Sequence, residues 1–163
     1  MVKIIAEIGC NHKGDFKIAK NMIKVAAKEC CIDVIKFQKR NNMKLLGAEG
    51  YNQPHPVPTN SYGNTYGEHR DFLEFDIEQH RELKKYCENL GVIYSVSVWD
   101  IISTKEVVEL NPEFIKIPSA TNLNFEIHEY LAKNYKGKIH ISMGMTTFEE
   151  IKSIIDFYER NFR

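Results

Sequence analysis

The sequence carries no GxGxxG after its first apolar segment and no GxxxxGK[ST] anywhere, so neither glycine-rich nucleotide fingerprint is present. No uninterrupted apolar run approaches the ~20 residues that cross a bilayer. The opening Met1-Val2-Lys3-Ile4-Ile5-Ala6-Glu7 carries two charges and lacks the apolar core of a signal peptide. An excess of charge of either sign is also missing, because Lys plus Arg and Asp plus Glu both number 22. That balance gives no basis for a nucleic-acid or anionic-membrane partner. The four cysteines, Cys10, Cys30, Cys31 and Cys87, show no CxxC spacing and no disulfide framework. They read as reduced thiols of a cytoplasmic protein. Cys10 follows a strand end, where it is either a nucleophile or a small buried filler.

What remains is a globular composition. Apolar residues make up 43% and charged residues 27% of 163, enough for one well-packed domain and too few for two ordinary ones. The first segment, Ile4 to Gly9, suits a short strand buried on both faces of a parallel sheet. Glu7 is then an anomaly, since a buried carboxylate needs a partner or a chemical task. Asp15 caps a helix whose apolar positions Ile18, Met22, Val25, Ala26 and Cys30 share a face.

Val34-Ile35-Lys36-Phe37-Gln38 predicts a second strand. From about Arg40 to Phe75 no clear period is found, and the Pro-rich and Asn/Tyr/Gly-rich composition reads as a long binding loop. Asp76 to Gln79 forms a capping box before a helix with Leu83, Tyr86, Cys87 and Leu90 inward, closed by Gly91. Val92 to Val98 is a third strand. Ser103 to Glu106 reads as a capping box opening a helix that stops before Pro112. Phe114 to Pro118 and Lys138 to Met143 are the fourth and fifth strands, separated by a looser helix around Ile127, Tyr130 and Leu131. Thr147 to Glu150 caps a last helix with Ile151, Ile154, Ile155, Tyr158 and Phe162 inward.

Strict βα alternation implies an α/β fold with a parallel sheet and right-handed crossovers. An open doubly wound sheet competes with a (β/α)₈ TIM barrel, and without nucleotide fingerprints the barrel is preferred. A barrel needs about 250 residues, so the chain represents about five of its eight βα units. Residues two apart on a strand share a face, which pairs Lys36 with Gln38, Ser95 with Ser97 and His140 with Ser142. Polar positions then gather at the carboxyl ends of the strands, where α/β domains bind ligands: Glu7, Lys36, Gln38, Ser97, Lys116, Ser119 and Ser142. Two lysines and several hydroxyls against one carboxylate suit a small phosphate- or carboxylate-bearing substrate. The bland alternative is a structural ion pair between Glu7 and a lysine. A Schiff-base aldolase using Lys36 or Lys116 is a second chemistry, and a non-catalytic phosphate-binding or interaction remnant a third reading.

Glu7-Ile8-Gly9-Cys10-Asn11-His12-Lys13-Gly14 resembles the EIGxNHxG opening of the sialic acid synthase (N-acetylneuraminate synthase) family. The resemblance continues, in order, through Ile35-Lys36-Phe37-Gln38, Tyr94-Ser95-Val96-Ser97, Phe114 to Ser119 and Ile141-Ser142-Met143-Gly144-Met145. It implies condensation of phosphoenolpyruvate with an N-acylated amino-hexose of the N-acetylmannosamine type. It also implies that residues 1–163 are a partial N-terminal barrel, with further barrel units and a small antifreeze-like domain outside them. By resemblance Lys36, Ser97, Lys116, Ser119 and Ser142 bind phosphoenolpyruvate, Gln38 lies near the sugar, and Glu7 faces the reacting enol. A sugar-binding asparagine of the long loop is matched to Asn60.

The family's divalent metal, Mn or Mg, is expected on histidines beyond this chain, and none of His12, His140 or the loop histidines is matched to it. The family's frequent Gly-Ser-Gly-Glu after the fourth strand is Pro118-Ser119-Ala120-Thr121 here, a departure that bears on the sugar. Expected partners are the two small substrates and, at full length, a second copy in a homodimer. A five-strand portion alone is expected to be inactive and to self-associate through unpaired edges, with Phe37, Ile117 and Ile141 near an open inner face.

Overall fold

The computed structural model describes residues 2–161, and Phe162 lies outside the described residues. Five strands, β1 (Ile5–Glu7), β2 (Val34–Lys39), β3 (Ile93–Val98), β4 (Phe114–Ile117) and β5 (Lys138–Ile141), form one sheet in the order β1-β2-β3-β4-β5. Every neighbouring pair is parallel. A doubly wound sheet would reverse direction and place β1 inside. Sequential winding with right-handed crossovers instead puts all helices on one side, as in a barrel wall. The fold is therefore the barrel type.

The helices are α1 (Phe16–Glu29), α2 (Asn42–Asn52), α3 (Tyr66–Phe72), α4 (Ile77–Asn89), α5 (Ile101–Leu110), α6 (Phe125–Asn134) and α7 (Phe148–Asn161). None is long and apolar enough to cross a membrane. Asp15 caps α1 by accepting from Lys17 and Ile18 N–H at 2.7 and 3.0 Å. The Asp76–Gln79 capping box closes in both directions, and Thr147 and Glu150 do the same for α7 at 2.7 and 3.2 Å. α5 starts earlier than Ser103 implies. Asp100 is its N-cap, accepting from Ser103 N–H at 2.9 Å and Ser103 Oγ at 2.8 Å. A buried carboxylate with two acceptor oxygens satisfies more of the helix start than a serine can.

One face of the sheet carries Ile35, Phe37, Tyr94, Val96, Val98, Ile115 and Ile117, all in the core with Leu83, Cys87, Ile127 and Leu131 from the helices. Phe37 and Ile117 are fully buried there and Ile141 packs against the same cluster, so the expectation of an open position for them is wrong. Alternation puts the polar set on the opposite face. The register aligns Glu7 with Lys36, Lys36 with Ser95, Gln38 with Ser97, Ser97 with Lys116 and Lys116 with His140.

Four further expectations change. The stretch 40–75 is not a structureless loop, because it contains α2, α3 and a single 3₁₀ turn, Pro58–Asn60. Gly47, at φ 64 and ψ 172, kinks α2 and breaks its period. β1 is not buried on both faces: Ile5 and Glu7 are exposed because β1 is an edge with β2 as its one partner among the described residues. On α1 the buried line is Ala19, Ile23 and Ala26, while Ile18 and Val25 are exposed. Small residues let that helix approach its neighbours closely. On α7, Ile154 is buried and Ile155 is exposed.

β5 is the other edge, with β4 as its one described partner. Exposed Ile4 and Ile5 flank one edge, and the top of the other carries exposed Met145 and Phe148. Unpaired, apolar strand edges template association. Residues 1–163 alone should therefore elute in size-exclusion chromatography as concentration-dependent oligomers, with Ile5→Lys shifting them toward monomer. A monomer at every concentration would refute this.

Candidate functional site

The β1–α1 turn is built before any chemistry is placed on it. His12 is buried, its ring stacked on Phe75 with centroids 4.1 Å apart. Its Nδ1 accepts from Gly14 N–H at 3.1 Å, which leaves the proton on Nε2 and matches a hydrogen bond to the Gly9 backbone. Burial pushes this imidazole down to about 4, against the opposing pull of that backbone bond. His12 is thus a neutral scaffold of the turn. Gly14 has φ +73, and a Cβ there would lie 2.3 Å from the Phe72 carbonyl oxygen. Only glycine fits such a position.

On the helix-free face, Lys36 is buried at 4% exposure and forms an ion pair with Glu7, whose side chain is 55% exposed. Lys36 Nζ also lies 3.4 Å from Ser97 Oγ. Burial lowers the Lys36 pKa, the Glu7 carboxylate opposes that, and the nearby Lys116 ammonium adds to the lowering. The partial exposure of Glu7 answers the anomaly of a charge in the first strand. Gln38 lies against the turn, its Nε2 3.5 Å from where a Cβ of Gly9 would stand.

A second group forms at the ends of β4 and β5. Ser119 Oγ donates to Ser142 Oγ at 3.0 Å, and Ser142 N–H donates to Ile117 O at 3.0 Å. The backbone of Gly144 closes against them, since a Cβ there would lie 2.8 Å from Ser119 Oγ. The structure thus joins Glu7, Lys36 and Ser97 directly, Lys116 through its field, and Ser119 with Ser142. It does not bring Asn60 to them. Asn60 is exposed at the end of its 3₁₀ turn, with its N–H bonded to Val57 O at 3.0 Å. No side-chain hydrogen bond ties it to the strand ends among the described residues.

Sequence reasoning missed Arg40. It is buried, paired with the equally buried Glu74, and donates from NH2 to Cys10 Sγ at 2.7 Å. Burial raises the Cys10 thiol more than Arg40 lowers it. A raised thiol suits the filler role, not the nucleophile. The signal available was Arg40 directly after an apolar strand. Among the described residues no group of three or more His, Cys, Asp or Glu side chains could hold a metal. His80 is buried among aromatic rings with only its Nδ1 bonded, to the Tyr94 hydroxyl, His128 is bonded at both ring nitrogens, and His140 stacks on Phe114. The donor set present does not fit the expected metal.

A family model described as "NeuB family" matches residues 22–163. N-acetylneuraminate-9-phosphate synthase of Homo sapiens is 39% identical over 151 residues, covering 93% of this chain and 41% of that protein. N,N'-diacetyllegionaminic acid synthase of Campylobacter jejuni is 29% identical over 158 residues, covering 97% and 47%. The crystal structure of an N-acetylneuraminic acid synthetase from Leptospira borgpetersenii superposes with a TM-score of 0.79 at 24% identity, over 98% of this chain and 50% of that one. At that identity the superposition speaks to the fold. The chain spans between two fifths and a half of the length of these curated relatives.

Proposed function

The chain belongs to the NeuB family, and from that premise we propose that its strand-end face serves a phosphoenolpyruvate-dependent nonulosonic acid synthase. The observation that carries this reading is the buried Lys36 between Glu7 and Ser97, with Lys116 close enough to depress it further. Two ammonium groups on a face that the helices leave uncovered call for a polyanion. The Ser119–Ser142 hydroxyl pair adds polar groups at the ends of β4 and β5.

In this reading Lys36, Lys116, Ser97, Ser119 and Ser142 hold the phosphate and carboxylate of phosphoenolpyruvate. Gln38 faces the N-acylated amino-hexose, Asn60 stands apart from it at the end of its 3₁₀ turn, and the divalent metal of the resemblance is assigned to side chains outside residues 1–163. The enol carbon forms the new carbon–carbon bond to the sugar aldehyde, whose oxygen takes up a proton. Water adds at the carbon bearing phosphate and gives up a proton, with Glu7 placed to move it. Collapse of that centre breaks the bond to phosphate and leaves a keto group. The lysines stabilise charge that shifts onto the leaving phosphate, and the strands hold both substrates in attack geometry.

The test is phosphate release in a protein containing this chain and a complete barrel. Release should depend on an N-acylated amino-hexose, assayed free and phosphorylated because the human relative is a 9-phosphate synthase. No release with any such sugar refutes the reading. Lys116→Ala should weaken phosphoenolpyruvate binding by roughly 10- to 150-fold, the equivalent of a charge-assisted bond of about 1.5 to 3 kcal/mol, with the fold retained. Unchanged binding would make Lys116 structural. The lowered Lys36 beside a second ammonium also favours a Schiff-base aldolase. That alternative is distinguished by a borohydride-trapped keto-acid adduct on Lys36, which the synthase reading excludes.

A further inference from the structure

The Ser119–Ser142 pair does not hold itself in place. Ser119 begins the 3₁₀ turn Ser119–Thr121, and Asn122 terminates it. Asn122 is buried at 4% exposure. Its Nδ2 donates to Ser142 O at 2.8 Å and to Thr146 Oγ1 at 2.9 Å. Thr146 Oγ1 in turn reaches Gly144 O at 3.1 Å. Gly144 is the backbone against which the Ser119 hydroxyl rests. One carboxamide therefore fixes the residue after β5, the turn that follows it and, through its own short helix, the serine on the other side.

The opposite end of Asn122 is held as well. Its backbone carbonyl oxygen is 2.8 Å from His128 Nε2. A carbonyl can only accept, so Nε2 carries the proton of a neutral ring. His128 Nδ1 is then the acceptor, and the Tyr158 hydroxyl at 3.0 Å donates to it. His128 is fully enclosed, and burial lowers its pKa. The chain of bonds runs from α7 through α6 into the strand ends, with each donor assigned.

We infer that Asn122 is a positioning residue: it sets the spacing of the Ser119 and Ser142 hydroxyls that receive a phosphate ester. The inference rests on the phosphoenolpyruvate reading above and adds a residue that reading does not contain. Asn122 touches no reacting atom. It acts through the two serines.

Within a protein containing this chain and a complete barrel, the experiment compares the unaltered sequence with Asn122→Ala, Thr146→Val, Thr146→Ser and Ile154→Val, the last being a buried α7 residue outside the bond chain. Two quantities are read: phosphoenolpyruvate affinity by calorimetry, and hydrogen exchange of residues 138–147. Asn122→Ala should weaken binding about tenfold, the loss of both geometry-setting bonds from Nδ2, and speed exchange at Ser142. Thr146→Val should do both to a smaller degree, and Thr146→Ser should restore the original values. Ile154→Val should lower the melting temperature and change neither. Exchange in 138–147 that is no faster in Asn122→Ala than in Ile154→Val overturns the inference alone. So does unchanged affinity where the unaltered chain binds. Absence of phosphoenolpyruvate binding in the unaltered chain overturns the functional reading and this inference's substrate assignment together, whatever the exchange shows.

Discussion

Replacing Lys36 with methionine should reduce phosphoenolpyruvate affinity by at least about 100-fold while leaving the chain as stable as before. The two halves of this expectation have separate causes. Lys36 is enclosed, so its ammonium acts through a medium of lower effective dielectric than water, and its bond to an incoming oxyanion is stronger for it. A bond to a charged group is worth about 1.5 to 3 kcal/mol, and the enclosed position puts Lys36 at the upper end. Stability should not fall in step. Burying the ammonium already costs free energy, as the lowered pKa records, and a linear apolar side chain of similar length fills the same space. Glu7 loses its partner, but with 55% of its side chain exposed it is re-solvated cheaply. Calorimetric titration with phosphoenolpyruvate and urea denaturation of K36M read the two halves. Binding within threefold of the original would remove Lys36 from the site. A large loss of stability would make the Glu7–Lys36 pair a structural strut.

The strands were legible because each is a compact apolar run bounded by glycine, proline or a cap. Their polar residues were legible as one face because a two-residue period has no other reading. What failed depends on neighbours. Whether β1 is buried is decided by how many strands flank it, and Ile5 and Glu7 say nothing of that themselves. α2 and α3 escaped because Gly47 divides one and the other has seven residues, too few for a period to emerge. The expected α1 face held Ala26 but also Ile18 and Val25, whereas the buried line runs through Ala19, Ile23 and Ala26, where small side chains allow the closest approach. At the start of α5, Ser103 and Asp100 both suit an N-cap, and only the fold shows that Asp100 also accepts from Asn41 N–H at 2.7 Å. For the site, strand-end residues were found by spacing. Asn122 was not, because a residue that acts by bonding to a backbone carbonyl and a neighbouring hydroxyl leaves no periodic mark. Asn60 was placed by alignment through a proline-rich stretch, where no strand or helix pins the register.

Mild acid should unfold this chain, and two buried histidines give the reason. His12 is pushed down to about 4 and His80 to about 3, in both cases chiefly by burial. His80 is enclosed by Phe37, Phe75 and Tyr94, with Nδ1 2.5 Å from the Tyr94 hydroxyl, and the Lys39 charge adds to the lowering. An unfolded chain protonates histidine near 6.5. Between that value and about 4, the unfolded state therefore binds two protons that the folded state does not. Each unmatched proton lowers stability by about 1.4 kcal/mol per pH unit, so the pair contributes about 2.7. The stabilisation from neutral rings is whole above 6.5 and is lost as pH falls toward the folded values. His128, also lowered, acts in the same direction. Glu74 opposes them, because burial raises its carboxyl and folding therefore favours its protonated form as pH drops. One raised carboxylate does not offset four depressed imidazoles, His69 being lowered as well. Against a typical total of about 5 to 15 kcal/mol, the loss is large enough to bring the midpoint of unfolding to about pH 4 to 5. Urea midpoints measured at pH 7, 6 and 5 should fall steadily. His80→Phe should flatten that decline by about half, since it removes one of the two strongest titrations while keeping the ring's volume. Urea midpoints that do not change between pH 7 and 5 would mean that both imidazoles reach water in the folded chain, and that the stack of His12 on Phe75 is open in solution.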